Sequence, residues 1–169
     1  MDILELFERS SLENFYQRYS ATVEFLLNRM QLKGTKVPDH IGVLVHDKKE
    51  YNEVSLILQK YSTRIREIVL NDRKVSVYKL DMPLIGSYLM PKIEIFEPKP
   101  GVVEKNLRYG VEHIAFYISE WDQFKSDNLD VLPLAKDFKV GTTSMLKTEI
   151  INTIEIEFRD ERLGEEELE

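Results

Sequence analysis

The sequence predicts an α+β fold in which two βαβββ half-repeats follow an N-terminal helical extension. Two observations predict this fold. Segments with helical periodicity alternate with segments of period-two hydrophobicity, and the order strand, helix, strand, strand, strand occurs twice. The second occurrence begins after Pro98, Pro100 and Gly101, a turn-rich stretch that separates the two halves.

The composition limits the protein to a few classes. Its 169 residues suit one domain, and 43% hydrophobic with 31% charged residues is typical of a globular protein. No apolar run approaches the ~20 residues of a membrane span, and the acidic N-terminus does not resemble a signal peptide. The absence of cysteine excludes disulfides and thiolate metal sites and fits a cytoplasmic location. A net charge of −7 disfavours nucleic-acid binding.

The pattern of residues 1–34 predicts the helical extension. Ser10 and Glu13 form a candidate capping box at the start of its long helix, and Gly34 supplies a left-handed residue to end it. Apolar side chains recur between them at three- and four-residue steps, typical of one face of an amphipathic helix: Leu12, Phe15, Tyr16, Tyr19, Val23, Leu26, Leu27 and Met30.

Residues 35–101 predict the first module. A β-branched strand covers residues 37–45, and Asp47 with Glu50 predicts the start of an amphipathic helix. Strand-like segments follow, the first two joined through the turn Asn71-Asp72. These segments are residues 65–70, 75–80 and 92–96.

Residues 102–159 predict the second module in the same order. Residues 112–118 form a strand, and Ser119 with Asp122 predicts a short capped helix. Residues 160–169 are almost all charged and are expected to form a loose acidic tail. The extended segments between the helix and the tail are residues 132–140, 142–151 and 153–158.

Short motifs repeat along with the element order. Asp39-His40-Ile41 in the first strand of one half matches Glu112-His113-Ile114 in the first strand of the other. Ile93-Glu94-Ile95 matches Ile154-Glu155-Ile156 in the closing strands. Two of the three histidines therefore occupy equivalent positions in an internal repeat.

Strand alternation predicts that these repeated polar residues share one face of the sheet. The apolar neighbours of His40, Glu94, His113 and Glu155 point to the opposite face, where the helices should pack. Two imidazoles and two carboxylates are costly to bury without a partner, and a divalent cation satisfies all four. This donor set favours Zn, Mn, Fe, Co or Ni over Ca or Mg.

A metal-free interpretation of these residues stays open. A histidine in a strand is often a hydrogen-bonded core residue, and one face of an antiparallel sheet is often solvated. On that interpretation the histidines and glutamates pair with one another or with water.

Four stretches resemble the vicinal oxygen chelate superfamily, which includes glyoxalase I, methylmalonyl-CoA epimerase and the extradiol dioxygenases. With the helical extension and residues 73–83, the chain looks most like the YecM-like branch. The resemblance covers residues 35–158 and implies a cup-shaped, mostly antiparallel sheet around a metal, with helices outside. The stretches are Asp39-His40-Ile41, Lys92-Ile93-Glu94-Ile95-Phe96-Glu97-Pro98, Tyr109-Gly110-Val111-Glu112-His113-Ile114-Ala115 and Ile154-Glu155-Ile156.

The resemblance implies that the four repeated polar residues bind the metal, one from the first and last strand of each module. The second module departs from the pattern because it is shorter between Thr142 and Thr153. Glu157, Glu149 or a water molecule therefore remain alternatives to Glu155 as the fourth ligand.

The resemblance also implies Lewis-acid chemistry on a small metabolite that chelates the metal through two neighbouring oxygens. Glu94 or Glu155 would move the proton in an isomerase, an epimerase or a glyoxalase-type lyase. Tyr78, expected on the inward face with Ser76, and Tyr117 are candidate substrate contacts.

Two non-catalytic functions remain alternatives. A module of the same fold could bind a small molecule or a metal without turnover, and a structural protein could use the same residues as internal pairs. A monomer and a homodimer both fit the predicted fold, because the two halves can complete one cup within a chain.

Overall fold

The computed structural model confirms the α+β fold. It describes residues 3–101, 109–128, 130–132, 135–151 and 154–164. Within them, eight strands form one sheet, and the order β, α, β, β, β occurs twice after two N-terminal helices.

The N-terminal extension contains a short and a long helix. Helix α1 is Ile3–Leu6 and helix α2 is Arg9–Met30. No helix in the described ranges is long and apolar enough to cross a membrane. The buried face of α2 includes five residues of the predicted stripe and packs into the main core: Leu12, Tyr16, Val23, Leu26 and Leu27.

The ends of α2 differ from the expected capping pattern. The N-cap residue is Glu8, and its side chain makes no capping hydrogen bond, so the predicted Ser10–Glu13 capping box is wrong. The C-cap residue after Met30 is Gln31, which adopts a left-handed conformation with a φ of 53°. Gly34 also has a positive φ, but it lies in the connection after the helix.

The first module follows the predicted order. Asp47 caps its helix, because the carboxylate accepts a hydrogen bond of 2.8 Å from the Glu50 N–H. The turn at Asn71 and Asp72 has two positive φ values, as tight hairpin turns require. Its elements are β1 (Val37–Leu44), α3 (Lys48–Leu58), β2 (Ser62–Leu70), β3 (Arg73–Ile85) and β4 (Leu89–Phe96).

The second module repeats the first with shorter elements. Its helix has 8 residues against 11 in α3, and its longest strand has 9 residues against 13 in β3. Its elements are β5 (Gly110–Tyr117), α4 (Trp121–Asn128), β6 (Lys136–Val140), β7 (Thr143–Ile151) and β8 (Ile154–Arg159).

The sheet places the first and last strands of both modules at its centre. The strand order is β2-β3-β4-β1-β5-β8-β7-β6. Strands β1 and β5 pair antiparallel, whereas β4 lies parallel to β1 and β8 lies parallel to β5. The four strands that carry the repeated motifs are therefore neighbours.

The two faces of the central strands have different environments. One face packs under the helices through alternate apolar residues and forms the main core. The other face, which carries His40 and His113, is the site face. The core-facing residues of the four central strands include Ile41, Val43, Ile93, Ile95, Ile114, Phe116, Ile156 and Phe158.

Tyr78 and Ser76 lie on the core face, contrary to the sequence-based expectation. The register of β3 pairs Tyr78 with Ile93 of β4, and the Ser76 hydroxyl lies 2.6 Å from the Tyr51 hydroxyl beneath α3. The tyrosine is fully buried. Val77 occupies the site face instead, because adjacent strand residues alternate between faces.

The residues after β8 pack against the sheet rather than forming a loose tail as far as Gly164. Leu163 is buried, its N–H donates to Asp39 at 3.0 Å, and its carbonyl accepts a hydrogen bond of 2.6 Å from Lys92. Side-chain contacts of the same segment add to these bonds, since Glu161 accepts from Thr143 and Arg162 lies over the ring of Tyr117.

Candidate metal site

Two buried histidines meet at the centre of the sheet. His40 lies on β1 and His113 on the adjacent β5, and their Nε2 atoms are 3.2 Å apart. Their side chains are 1% and 4% exposed. The internal repeat therefore brings its two imidazoles into direct contact.

Asp39 orients His40. Neighbouring residues of a regular strand point to opposite faces, but the pairing of β1 with β5 shifts register between Pro38 and His40. The Asp39 carboxylate lies 2.8 Å from His40 Nδ1. An ionised carboxylate only accepts, so Nδ1 donates to Asp39 and Nε2 is the ring nitrogen left for another partner. Nε2 faces His113.

Asp39 is in turn held by Lys92 and by Leu163. The Lys92 ammonium lies 2.9 Å from the carboxylate, and the Leu163 N–H donates to it. Burial by itself raises the pKa of Asp39, but His40 and Lys92 outweigh burial and hold the pKa well below its usual range. The group that orients His40 is therefore ionised.

Gly42 makes room for the His113 ring. The two residues pair across β1 and β5, and a Cβ atom at Gly42 would collide with three ring atoms of the histidine. Among the described residues, His113 Nδ1 makes no hydrogen bond, and it lies 3.8 Å from a carboxylate oxygen of Glu112. The ring is positioned by packing more than by a hydrogen-bonding partner.

Acidic residues surround His113. Burial by itself lowers the pKa of the imidazole, but the carboxylates of Glu112, Glu157 and Glu94 outweigh burial and leave the pKa raised. A cation at this position is thus electrostatically favoured.

Glu94 reaches both histidines from β4. Its Oε2 lies 3.8 Å from His40 Nε2 and 3.7 Å from His113 Nε2. Its neighbour on β3 is the apolar Val77. Among the described residues, the ion pairs of Glu94 are with these two histidines alone.

The strand register makes Glu157, rather than Glu155, the counterpart of Glu94. The β4 residue paired with the first histidine is Lys92, and Glu94 lies two residues further along. The β8 residue paired with the second histidine is Glu155, and Glu157 lies two residues further along. When the modules are aligned by strand register, Glu94 therefore corresponds to Glu157. The match of the Ile-Glu-Ile motifs had paired it with Glu155, two residues earlier.

Both glutamates of β8 lie near His113. Glu157 is buried, and its Oε2 lies 3.9 Å from His113 Nε2. Glu155 is more exposed and joins the other two in a group whose ligand atoms lie within 4.8 Å of one another. The side chain of Glu149, the other alternative, lies outside the described part of the chain.

Lys147 enters the site from β7. Its ammonium lies 3.0 Å from Glu155 Oε1 and 3.0 Å from Glu157 Oε2, and Arg159 Nε lies 3.6 Å from Glu157 Oε1. Burial by itself raises the pKa of Glu157, but His113, Lys147 and Arg159 outweigh burial and lower it. The carboxylate of Glu157 is therefore ionised although it is buried.

The donor set fits the metal that the superfamily resemblance implies. Two nitrogens bound to one metal at about 2.1 Å lie about 3.0–3.4 Å apart, and the two Nε2 atoms are 3.2 Å apart. Ligand atoms of His40, Glu94 and His113 lie within 4.8 Å of one another. Two imidazoles with carboxylates suit Zn, Mn, Fe, Co or Ni.

The structure groups the predicted residues unevenly. His40, Glu94 and His113 converge on one point, whereas Glu155 stands beside them and contacts Lys147. Tyr117 lies on the site face, two positions after Ala115, and its ring is covered by Arg162 at 4.7 Å.

Sequence reasoning missed three charged residues of the site. Lys92 was detectable, because it precedes Glu94 by two residues in the same strand and so shares its face. Lys147 was not detectable, since its position opposite Glu157 depends on the pairing of β7 with β8. The inward orientation of Asp39 was not detectable either, because it coincides with a register shift between β1 and β5.

The chain belongs to the YecM protein family, whose model matches residues 8–169. No curated protein matches it.

Several solved structures share the fold. Structural Genomics Protein EC4020 is 18% identical, with a TM-score of 0.69 over 88% of this chain and 85% of that chain. A Streptomyces coelicolor methylmalonyl-CoA epimerase in complex with 2-nitronate-propionyl-CoA is 18% identical, with a TM-score of 0.54 over 74% and 94%. Hypothetical protein BH1468 from Bacillus halodurans C-125 is 17% identical, with a TM-score of 0.53 over 80% and 99%. The chain therefore has the fold of the vicinal oxygen chelate proteins.

Proposed function

We propose that this member of the YecM family binds one divalent transition metal between His40, Glu94, His113 and Glu157. On this proposal it acts as an isomerase, an epimerase or a lyase on a small metabolite with two neighbouring oxygens. The observation that carries the proposal is the 3.2 Å approach of two buried imidazole nitrogens with one Glu94 oxygen beside both.

Glu157 replaces Glu155 as the proposed fourth ligand. The register supports it, because Glu157 stands to β5 as Glu94 stands to β1. Its burial and its ionised state also suit a ligand. Glu155 is then free for a different role.

Proton transfer falls to the carboxylates that the substrate can reach. When bound, the metal would supply Lewis-acid polarisation of a substrate oxygen. Glu155 is the first candidate base, since its side chain is 29% exposed and Lys147 holds it beside the ligands. Glu94, which is 16% exposed, is the second candidate.

The comparisons favour one reaction class. The fold is shared with a methylmalonyl-CoA epimerase, which supports an isomerase or epimerase over a lyase. That structure contains a CoA-type ligand, so CoA thioesters belong among the first compounds to screen.

A structural role without metal is the second candidate. The ion pairs of Glu157 with Lys147 and Arg159 favour it, because they neutralise the buried carboxylate without any added cation. A non-catalytic binding module would share the metal site and lack turnover.

Elemental mass spectrometry of protein purified without an affinity tag or chelator tests the proposal. We expect near-stoichiometric transition metal in the wild type and none in a His40→Ala/His113→Ala variant that retains its circular dichroism spectrum. His46→Ala is the matched control, since the third histidine is half-exposed and pairs with Glu50 away from the site.

Three other outcomes are informative. A wild type that holds no metal and takes none up on soaking would refute the proposal and favour the structural role. Metal retained by the double variant would refute the ligand assignment. Bound metal without turnover in a screen of oxygen-chelating metabolites and CoA thioesters would identify a binding module.

A further inference from the structure

The two halves of the site differ in what faces each glutamate. On β3, the residue paired with Glu94 is Val77, which cannot neutralise a carboxylate. On β7, the residue paired with Glu157 is Lys147. The same position in the two modules is therefore apolar in one and cationic in the other.

Lys147 already occupies the second half of the site with a positive charge. Its ammonium lies 3.0 Å from one oxygen of Glu155 and 3.0 Å from one oxygen of Glu157. The Glu157 oxygen concerned, Oε2, is also the one that faces His113 Nε2 at 3.9 Å. The atom that would bind a metal is thus the atom that the lysine holds.

We infer that Lys147 is a tethered cation that competes with the metal for Glu157 and so lowers the affinity of the site for metal. The inference rests on the proposed function, because it concerns the same metal site. In the metal-free protein the ammonium is the nearer of the two cations that neutralise the buried Glu157, at 3.0 Å against 3.6 Å for Arg159. When the metal takes Glu157, Lys147 keeps its contact with Glu155 and positions that carboxylate beside the ligands.

This arrangement assigns different roles to the two glutamates that bind metal. Glu94 has no competing lysine or arginine among the described residues and belongs to the metal alone. Glu157 exchanges between two cations. Removing the lysine should therefore strengthen metal binding, whereas removing an ordinary supporting group at a metal site weakens it.

Titration of metal-free protein with Co²⁺ and Zn²⁺ tests the inference. We expect Lys147→Met to bind both metals about tenfold or more tightly than the wild type, within the ~10–100-fold range that groups contacting metal ligands typically control. Lys136→Met is the matched control. Lys136 is the β6 residue paired with Lys147 of β7, so its substitution removes the same charge from a neighbouring position. Among the described residues, Lys136 forms no ion pair with Glu157.

A double-mutant cycle shows whether the effect passes through Glu157. In the Glu157→Gln background, we expect Lys147→Met to change metal affinity by less than about threefold, because the contested carboxylate is gone. An equal gain in both backgrounds would mean that the lysine only repels the metal at a distance, and it would overturn the inference.

Thermal unfolding supplies a second readout. We expect metal-free Lys147→Met to unfold at a lower temperature than the wild type, and added metal to raise its unfolding temperature by more. Lys147→Gln keeps polar contacts to the glutamates without the charge and replaces the Met variant if that variant does not fold.

The failures of the two proposals are distinguishable. If the wild type binds metal and Lys147→Met binds it equally or more weakly, the inference is wrong and the proposed function stands. If no variant binds metal, both are wrong.

Discussion

The two βαβββ modules share a backbone plan and differ in the charges they place around it. In module one, an ionised Asp39 hydrogen-bonds His40 at 2.8 Å, and the facing Glu94 has an apolar neighbour. In module two, no residue that the structure describes makes an equivalent hydrogen bond to His113 Nδ1, and a lysine pairs with the facing Glu157. Register is repeated, but charge is not.

The difference teaches that one half of the site is fixed and the other is adjustable. His40 is positioned by a buried hydrogen bond to Asp39. That carboxylate is itself held by the Lys92 ammonium and the Leu163 N–H. In the second half, His113 packs against Gly42, and Glu157 pairs with Lys147. We expect substitutions in module one to cost more metal affinity than the equivalent substitutions in module two.

Carboxamide substitutions should separate the three glutamates most strongly. We expect Glu94→Gln to weaken Zn²⁺ binding about 100-fold, Glu157→Gln about tenfold and Glu155→Gln less than about threefold. The order follows because Glu94 has no competing lysine or arginine among the described residues, Glu157 shares its carboxylate with Lys147, and Glu155 is not one of the proposed ligands. Competition with a chromophoric chelator measures all three.

One result would reverse the assignment of the fourth ligand. If Glu155→Gln weakens Zn²⁺ binding more than Glu157→Gln does, Glu155 is the ligand and the strand register does not determine the site.

The carboxylates next to the two histidines should differ as well. We expect Asp39→Asn to weaken metal binding about tenfold, because a neutral amide, which can present either a donor or an acceptor, replaces the acceptor-only carboxylate that fixes the tautomer of His40. The same change should lower the free energy of unfolding by about 3 kcal/mol, since Lys92 is left buried without its partner. Glu112→Gln is the matched change in module two, and we expect less than about a threefold effect, since its oxygen lies 3.8 Å from His113.

Urea unfolding and metal titration of both variants measure these effects. Equal losses from Asp39→Asn and Glu112→Gln would show that the two histidines are held equally, against the comparison of the modules.

The smallest expected effect concerns the residue two positions after each histidine. Gly42→Ala should weaken metal binding several-fold, because the added Cβ displaces the His113 ring. Ala115→Gly at the equivalent place in module two should change it by less than about twofold. Metal titration, with histidine side-chain NMR signals as a probe of ring position, compares the two variants. An unchanged His113 signal in Gly42→Ala would contradict this role of the glycine.

Much of the fold was predictable because its pattern is local. The period-two alternation around His40 and His113 assigns each strand residue to a face without knowledge of its neighbours. Asp47 predicted a helix start in the same way, and the structure confirms it. The capping box at Ser10 failed because the long helix starts two residues earlier than a cap at Ser10 requires.

The sequence alone determined the order of the elements, the repeat and the shared face of His40, Glu94 and His113. Each of these follows from local hydrophobic patterns, which assign one helix or strand at a time. The tertiary structure supplied the strand register that favours Glu157 over Glu155 as the proposed fourth ligand. Both lie on the same face of β8, and only its long-range hydrogen bonds with β5 determine which one stands opposite which residue. The same pairing between strands brought a lysine from β7 to the glutamates, an arrangement that the periodicity of one strand does not encode.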